Sequence, residues 1–386
     1  MQIAMLAADF TVGEADELRR AMAAWKRKGG LEGFRDKIVN NMVKNNYDQE
    51  FAESIFEQMK GFGDYGFPES HSASFAMLAY FSSWIKRHEP AVFLCSLLNS
   101  QPMGFYSPSQ LIQDARRHDV QVRPIDVEYS HWDSSLEPGD TTVLNRFTGT
   151  EQPAVRMGLS LLSGISESTA LRIKQARSES VFMDVPDLAK RAQLNQHELQ
   201  VLAAGNALVS LAGHRRQAIW QAVGSMPDKD LLRPTSIQEQ TPFLKAPSEA
   251  QEIHSDYRSM GFTLQRHPLA LLRPQLLAKR FLPAEMLNTF QQGQFARGCG
   301  LVTGRQRPGS ANGVIFITIE DETGPVSVII WPSLLEKQRR EVLNAGLLGV
   351  YGIWQCEEEV RHLVAKRLVD MTHLLGQLTV SSRDFC

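Results

Sequence analysis

Three groups of residues in this chain have types and spacings suited to contact with phosphate. The segment LSLLSGISESTALRIKQA sets Gly164 between apolar neighbours, follows it with Ser166 as a helix N-cap, and runs into a helix carrying Arg172 and Lys174. A glycine-centred turn of this kind leaves backbone N–H groups free at a helix amino end, where the helix dipole favours an anion. This is the logic of a helix-hairpin-helix. A second, weaker copy is read in VLAAGNALVSLAGHRRQAI, around Gly205 and followed by Arg215 and Arg216. Residues 154–224 hold 8 Lys/Arg against 5 Asp/Glu, an excess that suits sequence-independent contact with a duplex backbone. An ordinary turn glycine is the bland alternative.

The second group is ELRRAMAAWKRKGG, which packs Arg19, Arg20, Lys26, Arg27 and Lys28 ahead of a helix-stopping Gly29-Gly30. Guanidinium groups suit phosphate oxygens, and a solvated helix face would use the same residues. Asp9, Glu14, Asp16 and Glu17 read as solvated helix-end charges. The third group lies near the carboxy end. Five β-rich runs, FARGCGLVTGRQ, GVIFITIED, GPVSVIIWP, LLGVYGIWQC and VRHLVAKRLVD, carry one helix, LLEKQRREVLNA, between the third and fourth. That is the order of an OB-fold. Arg297, Arg305 and Arg307 fall on its first strand or in the RQRPGSANG loop, where a single strand could bind. With 9 Lys/Arg against 9 Asp/Glu over 294–373, a protein partner is the other reading, and Phe316, Trp331, Tyr351 and Trp354 suit a core.

The elements that must position these groups follow from period and punctuation. Helices are predicted near 48–60, 70–88, 90–99 and 107–118. Gly61, Gly63, Gly66 and Pro68 should interrupt the chain before a helix capped by Ser70 or Ser72. The expected fold is multidomain and mostly α, followed by a small β-barrel. Its parts are helices over 1–128, a connecting segment at 129–153, the tandem hairpins at 154–224, a linker at 225–249, a helical connector at 250–293, the OB-fold at 294–373 and a tail at 374–386. Within the linker, QEQTPFL has the outline of a short docking motif.

Composition excludes other classes. The chain has 386 residues, 43% hydrophobic and 22% charged, with a formal charge of −2, as expected of a soluble protein that is not basic overall. No run of apolar residues is long enough to span a bilayer, and the acidic amino terminus is unlike a signal peptide, so the cytoplasm is the expected compartment and no membrane partner is expected. Four cysteines, Cys95, Cys299, Cys356 and Cys386, are scattered without C-x-x-C spacing. Neither a disulfide framework nor a zinc site is expected.

Several stretches resemble the bacterial C-family DNA polymerases. They are MQIAMLAADFTVGEADELRRAM, YGFPESHSASFAMLAYFSSWIKRHEPAVFLCSLLNSQPMGFYSPSQLIQDARRH, MGLSLLSGI, AAGNALVSLAGHRRQAIW, MGFTLQRHPLALLR and the barrel. LLNSQPMGFYSPSQLIQDARRH and FTLQRHPLALLR are most similar to the error-prone branch. The resemblance covers nearly the whole chain in family order. It implies the carboxy-terminal part of a DNA-directed polymerase used in damage-tolerant synthesis, beginning inside the fingers, after the PHP domain and the palm with its metal-binding aspartates. On this view Mg2+ and deoxynucleoside triphosphates belong to the full-length enzyme, no catalytic or metal-binding residue lies in this chain, and the chain alone is expected to be inactive. The resemblance further implies that Arg19 and Arg20, supported by Lys26, Arg27 and Lys28, neutralise the incoming triphosphate, and that Ser70, His71 and Ser72 lie near it. Gly164, Ser166, Arg172, Lys174, Gly205, Arg215, Arg216, Arg297, Arg305 and Arg307 would contact primer-template DNA or single-stranded template. Implied protein partners are the sliding clamp and accessory proteins of a mutagenic complex. A replicative alpha-subunit fragment and a non-catalytic docking module are the alternatives.

Overall fold

The computed structural model describes residues 2–23, 32–65, 69–104, 106–140, 144–145, 147–225, 242–308, 311–357, 360–378 and 382–385. It divides into two compact units, Met1–Trp84 and Ile85–Cys386.

The first unit is helical: α1 (Gln2–Ala7), α2 (Val12–Ala23), α3 (Glu32–Lys44) and α4 (Gln49–Tyr65), with α5 (Glu69–His88) beginning in it. Thr11 opens α2 through a reciprocal cap. Its Oγ accepts from the Glu14 N–H at 3.3 Å, and the Glu14 carboxylate accepts from the Thr11 N–H at 3.0 Å. Apolar residues at helical spacing then meet: Ala15 and Leu18, Ile38 and Met42, and Ala52, Phe56 and Met59 form one buried cluster. Two expectations are corrected here. Gly61 and Gly63 do not interrupt the chain, because α4 continues to Tyr65; α5 starts at Glu69, so Ser70 and Ser72 sit inside its first turn instead of capping it.

In the second unit, α6 (Pro90–Asn99) starts on a proline, whose missing N–H costs nothing at a first helical position. The helix α7 (Pro108–Arg117) carries a Ser107/Gln110 capping box. Strands β1 (Val122–Arg123), β2 (Ser135–Glu137) and β3 (Ala154–Arg156) form a small sheet in the order β1-β3-β2. Five helices follow: α8 (Glu167–Glu179), α9 (Val185–Arg191), α10 (Gln196–Ala204), α11 (Val209–Ala212) and α12 (Arg215–Gly224). One buried cluster runs through all of this, from Ala91 and Leu94 through Val155 and Met157 to Ile173, Leu202 and Ala218, and takes in Phe262.

Helices α13 (Glu249–Met260), α14 (Pro268–Ala278) and α15 (Ala284–Leu287) lead into the barrel. Its strands are β4 (Phe295–Gln306), β5 (Ile315–Glu320), β6 (Pro325–Ile330), β7 (Leu347–Glu357) and β8 (Val360–Asp370). Antiparallel β4–β5, β5–β6, β4–β7 and β7–β8 pairs and a parallel β6–β8 pair close the ring, which is the OB-fold topology. Val328, Ile330, Leu348, Val350, Trp354 and Leu363 fill it. Of the four aromatics expected in the core, Trp354 is buried, Phe316 and Tyr351 are half-buried, and Trp331 is exposed. The single helix expected at 334–345 is two, α16 (Pro332–Lys337) and α17 (Arg339–Asn344). Between them Gln338 donates to the Leu368 carbonyl and accepts from the Leu368 N–H, both at 2.8 Å, so the chain turns where its side chain pairs with β8. In the tail, β9 (Arg383–Phe385) adds to β4 in parallel register.

Buried ionic contacts tie the helical layers to one another and to the barrel. Arg215, 2% exposed, opens α12 and pairs with Glu252 at 3.1 Å and with Asp256 of α13. Arg273 of α14 forks onto Glu322 at 2.7 Å and Asp321 at 3.1 Å in the β5–β6 turn. His267 caps α14, its Nδ1 accepting from the Leu269 N–H, and burial holds the imidazole down at about 4.

Two consequences are measurable. Arg215→Ala strands two carboxylates in a buried site and is expected to cost roughly 3–5 kcal/mol in urea unfolding, whereas Arg216→Ala at the neighbouring position stays within about 0.5 kcal/mol. The lowered His267 means that the folded chain binds fewer protons than the unfolded chain between the ordinary imidazole value and about 4, so its contribution is full near neutrality and is lost as pH falls through that window. His267→Asn keeps a capping acceptor but cannot titrate there. It is expected to remove about 2.5 kcal/mol of the stability difference between pH 7 and 4.5, measured by urea unfolding at each pH.

Candidate nucleic-acid interface

The first hairpin forms as its sequence predicts. Gly164 adopts φ +97°, a conformation that residues with a Cβ rarely take, and turns the chain from a short 3-10 segment (Leu159–Leu161) into α8. Ser166 caps α8, accepting from the Thr169 N–H at 3.3 Å. Lys174 lies exposed on the helix and has no hydrogen bond or ion pair with another described residue.

In the second hairpin, Gly205 opens the turn over 205–208 that joins α10 to α11. Gly205 has φ −79° and ends α10; a Cβ there would lie 2.3 Å from the Leu162 side chain, so its role is close packing against the first hairpin. A second glycine, Gly213 at φ +80°, lies between α11 and α12, and His214 caps α12 through Nδ1. Gly164 stands two residues before the Ser166 cap of α8, and Gly213 one residue before the His214 cap of α12.

Several expected contact residues are engaged inside the protein. The Arg215 pairing with Glu252 and Asp256 takes it out of the exposed set. Arg305, 9% exposed, donates to the carbonyls of Val342 at 2.7 Å and Ala345 at 2.6 Å, and to Ser382 and Asp384 of the tail. It is a strut between β4, α17 and β9. Arg172 donates to Glu198 and to the Gln193 carbonyl, fastening α8 to the start of α10. Arg216 remains near the surface, donating to the Lys245 carbonyl at 2.7 Å and to Gln251 at 3.2 Å. Arg307 is exposed beside the β4–β5 loop, and Arg297 lies half-buried over the rings of Phe295 and Tyr351.

In the other unit, Arg19 and Arg20 are 61% and 73% exposed and both clasp Asp16, at 2.9 and 2.8 Å. Arg20, and with it Arg19, holds the Asp16 carboxyl below the usual carboxylate range. Glu14 pairs with Lys37, which with the Thr11 cap brings its carboxyl down to about 2. Neither acid is a merely solvated helix-end charge, as the sequence suggested. Ser72 is exposed on α5; Lys26, Arg27 and Lys28, and the side chains of Ser70 and His71, lie outside the described residues. So does most of QEQTPFL. Among the described residues no group of three or more His, Cys, Asp and Glu is placed to hold a metal ion. No described helix is long and apolar enough to cross a membrane.

The chain matches three family models: the bacterial DNA polymerase III alpha subunit finger domain over residues 1–46, a helix-hairpin-helix motif over 119–218, and an OB-fold nucleic acid binding domain over 298–370. It is 56% identical to a protein named error-prone DNA polymerase from Bordetella parapertussis, 57% to one from Burkholderia pseudomallei and 52% to one from Alkalilimnicola ehrlichii. Each match covers 100% of this chain but only 36%, 36% and 37% of the relative, so the chain spans little more than a third of their length. Similar to them from end to end, and carrying the finger, helix-hairpin-helix and OB-fold modules in order, the chain is a relative of the bacterial error-prone DNA polymerases.

Proposed function

We propose that this chain is the DNA-gripping, carboxy-terminal part of an error-prone DNA-directed DNA polymerase used in damage-tolerant synthesis. The observation that carries the reading is the presence of two positive-φ glycines, Gly164 and Gly213, each shortly before the amino end of a capped helix within one packed body. Backbone N–H groups at such ends hold phosphates irrespective of sequence, as a polymerase requires. The barrel, with Arg307 exposed at its loop, is suited to guiding single-stranded template. Arg19 and Arg20 would exchange Asp16 for the incoming triphosphate, with the exposed Ser72 on α5 and the Lys26–Lys28 bases in the same role. Magnesium would be held by carboxylates outside this chain, and the chain alone is inactive. The sliding clamp and mutagenic accessory proteins are the proposed partners, in the cytoplasm.

One observation favours a second reading, docking of a protein partner: of the bases in 154–224, Arg156, Arg172, Arg177, Arg191 and Arg215 are all bound to internal acceptors. Fluorescence anisotropy of labelled primer-template and single strand across salt concentrations separates the two. Binding should weaken steeply with salt. Lys174→Ala is expected to lower the duplex log–log slope by about 0.9 and Arg307→Ala the single-strand slope by about 0.7. Arg305→Ala should lower stability instead. Primer extension with Mg2+ should be nil. No binding at low salt would reject DNA gripping in favour of docking, and extension by the isolated chain would reject its assignment as a non-catalytic part.

A further inference from the structure

The outer face of the barrel carries a row of aromatic and basic side chains across three neighbouring strands. Arg297 on β4 is the register partner of Tyr351 on β7, and Tyr351 is the register partner of Arg367 on β8. The Arg297 guanidinium lies 5.1 Å from the centre of the Tyr351 ring and 5.7 Å from that of Phe295; the Arg367 guanidinium lies 5.7 Å from the Tyr351 ring. Phe281 meets Tyr351 edge to face at 5.3 Å, which fixes the ring between its two arginines.

A bulge extends the row. Tyr351 pairs with Arg367 but the next residue, Gly352, pairs with Ala365, so Lys366 is the extra residue of β8. Lys366 and Arg367, consecutive in sequence, are consequently both exposed. Phe295 adds a ring that is 51% exposed. Among the described residues no carboxylate lies within ion-pair distance of Arg297, Lys366 or Arg367, whereas Arg273 and Arg305 in the same body have acidic partners.

We propose that Phe295, Arg297, Tyr351, Lys366 and Arg367 form a binding face for single-stranded nucleic acid, separate from the β4–β5 loop. Unpaired cations spaced over roughly 10 Å of sheet supply phosphate contacts, and the exposed ring of Phe295 offers a stacking surface that accepts any base. Cation–π contact with the Tyr351 ring holds the two guanidinium groups over the sheet without using their N–H donors. The exposed aromatic distinguishes this face from a purely ionic patch for an acidic protein. The inference rests on the nucleic-acid reading of the barrel made above.

The test uses the whole chain and fluorescein-labelled oligo-dT. Arg297→Gln with Arg367→Gln keeps most of each stem, and is expected to lower the single-strand log–log salt slope by about 1.4. Phe295→Leu is expected to weaken binding roughly tenfold with the slope unchanged. Wild-type binding with both variants indistinguishable from it would overturn this face alone; no wild-type binding at low salt would overturn the nucleic-acid reading as well. Displacement of oligo-dT by polyglutamate as effective as by unlabelled oligo-dT would also overturn it, in favour of an acidic protein surface. Should the double variant unfold, photocrosslinking of iodouracil-substituted oligonucleotide to the wild-type chain decides: crosslinks at Phe295 or Tyr351 support the face, and crosslinks confined to other segments overturn it.

Discussion

Three consecutive acids, Glu320, Asp321 and Glu322, at the end of β5 join the barrel to the helices before it. Together they reach three helices, α7, α14 and α15. Glu320 is buried, which pushes its carboxyl up, and it receives a hydrogen bond from Gln113 and the field of Arg117, both on α7. Asp321 accepts from the Ala284 N–H at the start of α15 and from Arg273 of α14, while its other oxygen organises its own turn through Thr323 and Gly324. Glu322 takes the other branch of the Arg273 fork, and that guanidinium overcomes burial to hold its carboxyl down. A carboxylate removed from water is costly unless its oxygens are satisfied, so these contacts constrain where the helices can sit.

The same economy of charge governs what is left for binding. The hairpin region has a positive balance by count, yet most of its arginines hold the region together. Arg156 forms a two-pronged contact with Glu137 on the neighbouring strand, Arg177 reaches the carbonyls of Val127 and Ser130, and Arg191 ties α9 to the end of α8. Guanidinium is suited to this work because five donors in one plane can serve several acceptors at once. Lysine, with one point of charge on a flexible stem, is left outside, as Lys174 and Lys190 are. Net charge over a window therefore overstates the positive field that a phosphate would meet.

The tail shows a related dependence at longer range. Its few residues carry no periodic signal, yet Ser382 and Asp384 receive Arg305, and β9 extends the sheet beside β4. A strand of three residues is stable only as an addition to an edge already built. Nothing local in the tail could announce that edge.

Sequence alone determined the features governed by near neighbours in the chain: the proline start of α6, the Ser107 box of α7, the Ser166 cap of α8 after Gly164, and the five-strand order of the barrel with its intervening helical segment. Each rests on backbone geometry or on a period that a few residues define. Tertiary structure decided what each glycine of the second hairpin does, since Gly205 is required by the Leu162 side chain and Gly213 by its own φ. It likewise decided which arginines face solvent, and that Arg297, Tyr351 and Arg367, far apart in sequence, stand in one row. Conformation is written within a few bonds, whereas desolvation and charge pairing depend on what the rest of the fold brings alongside.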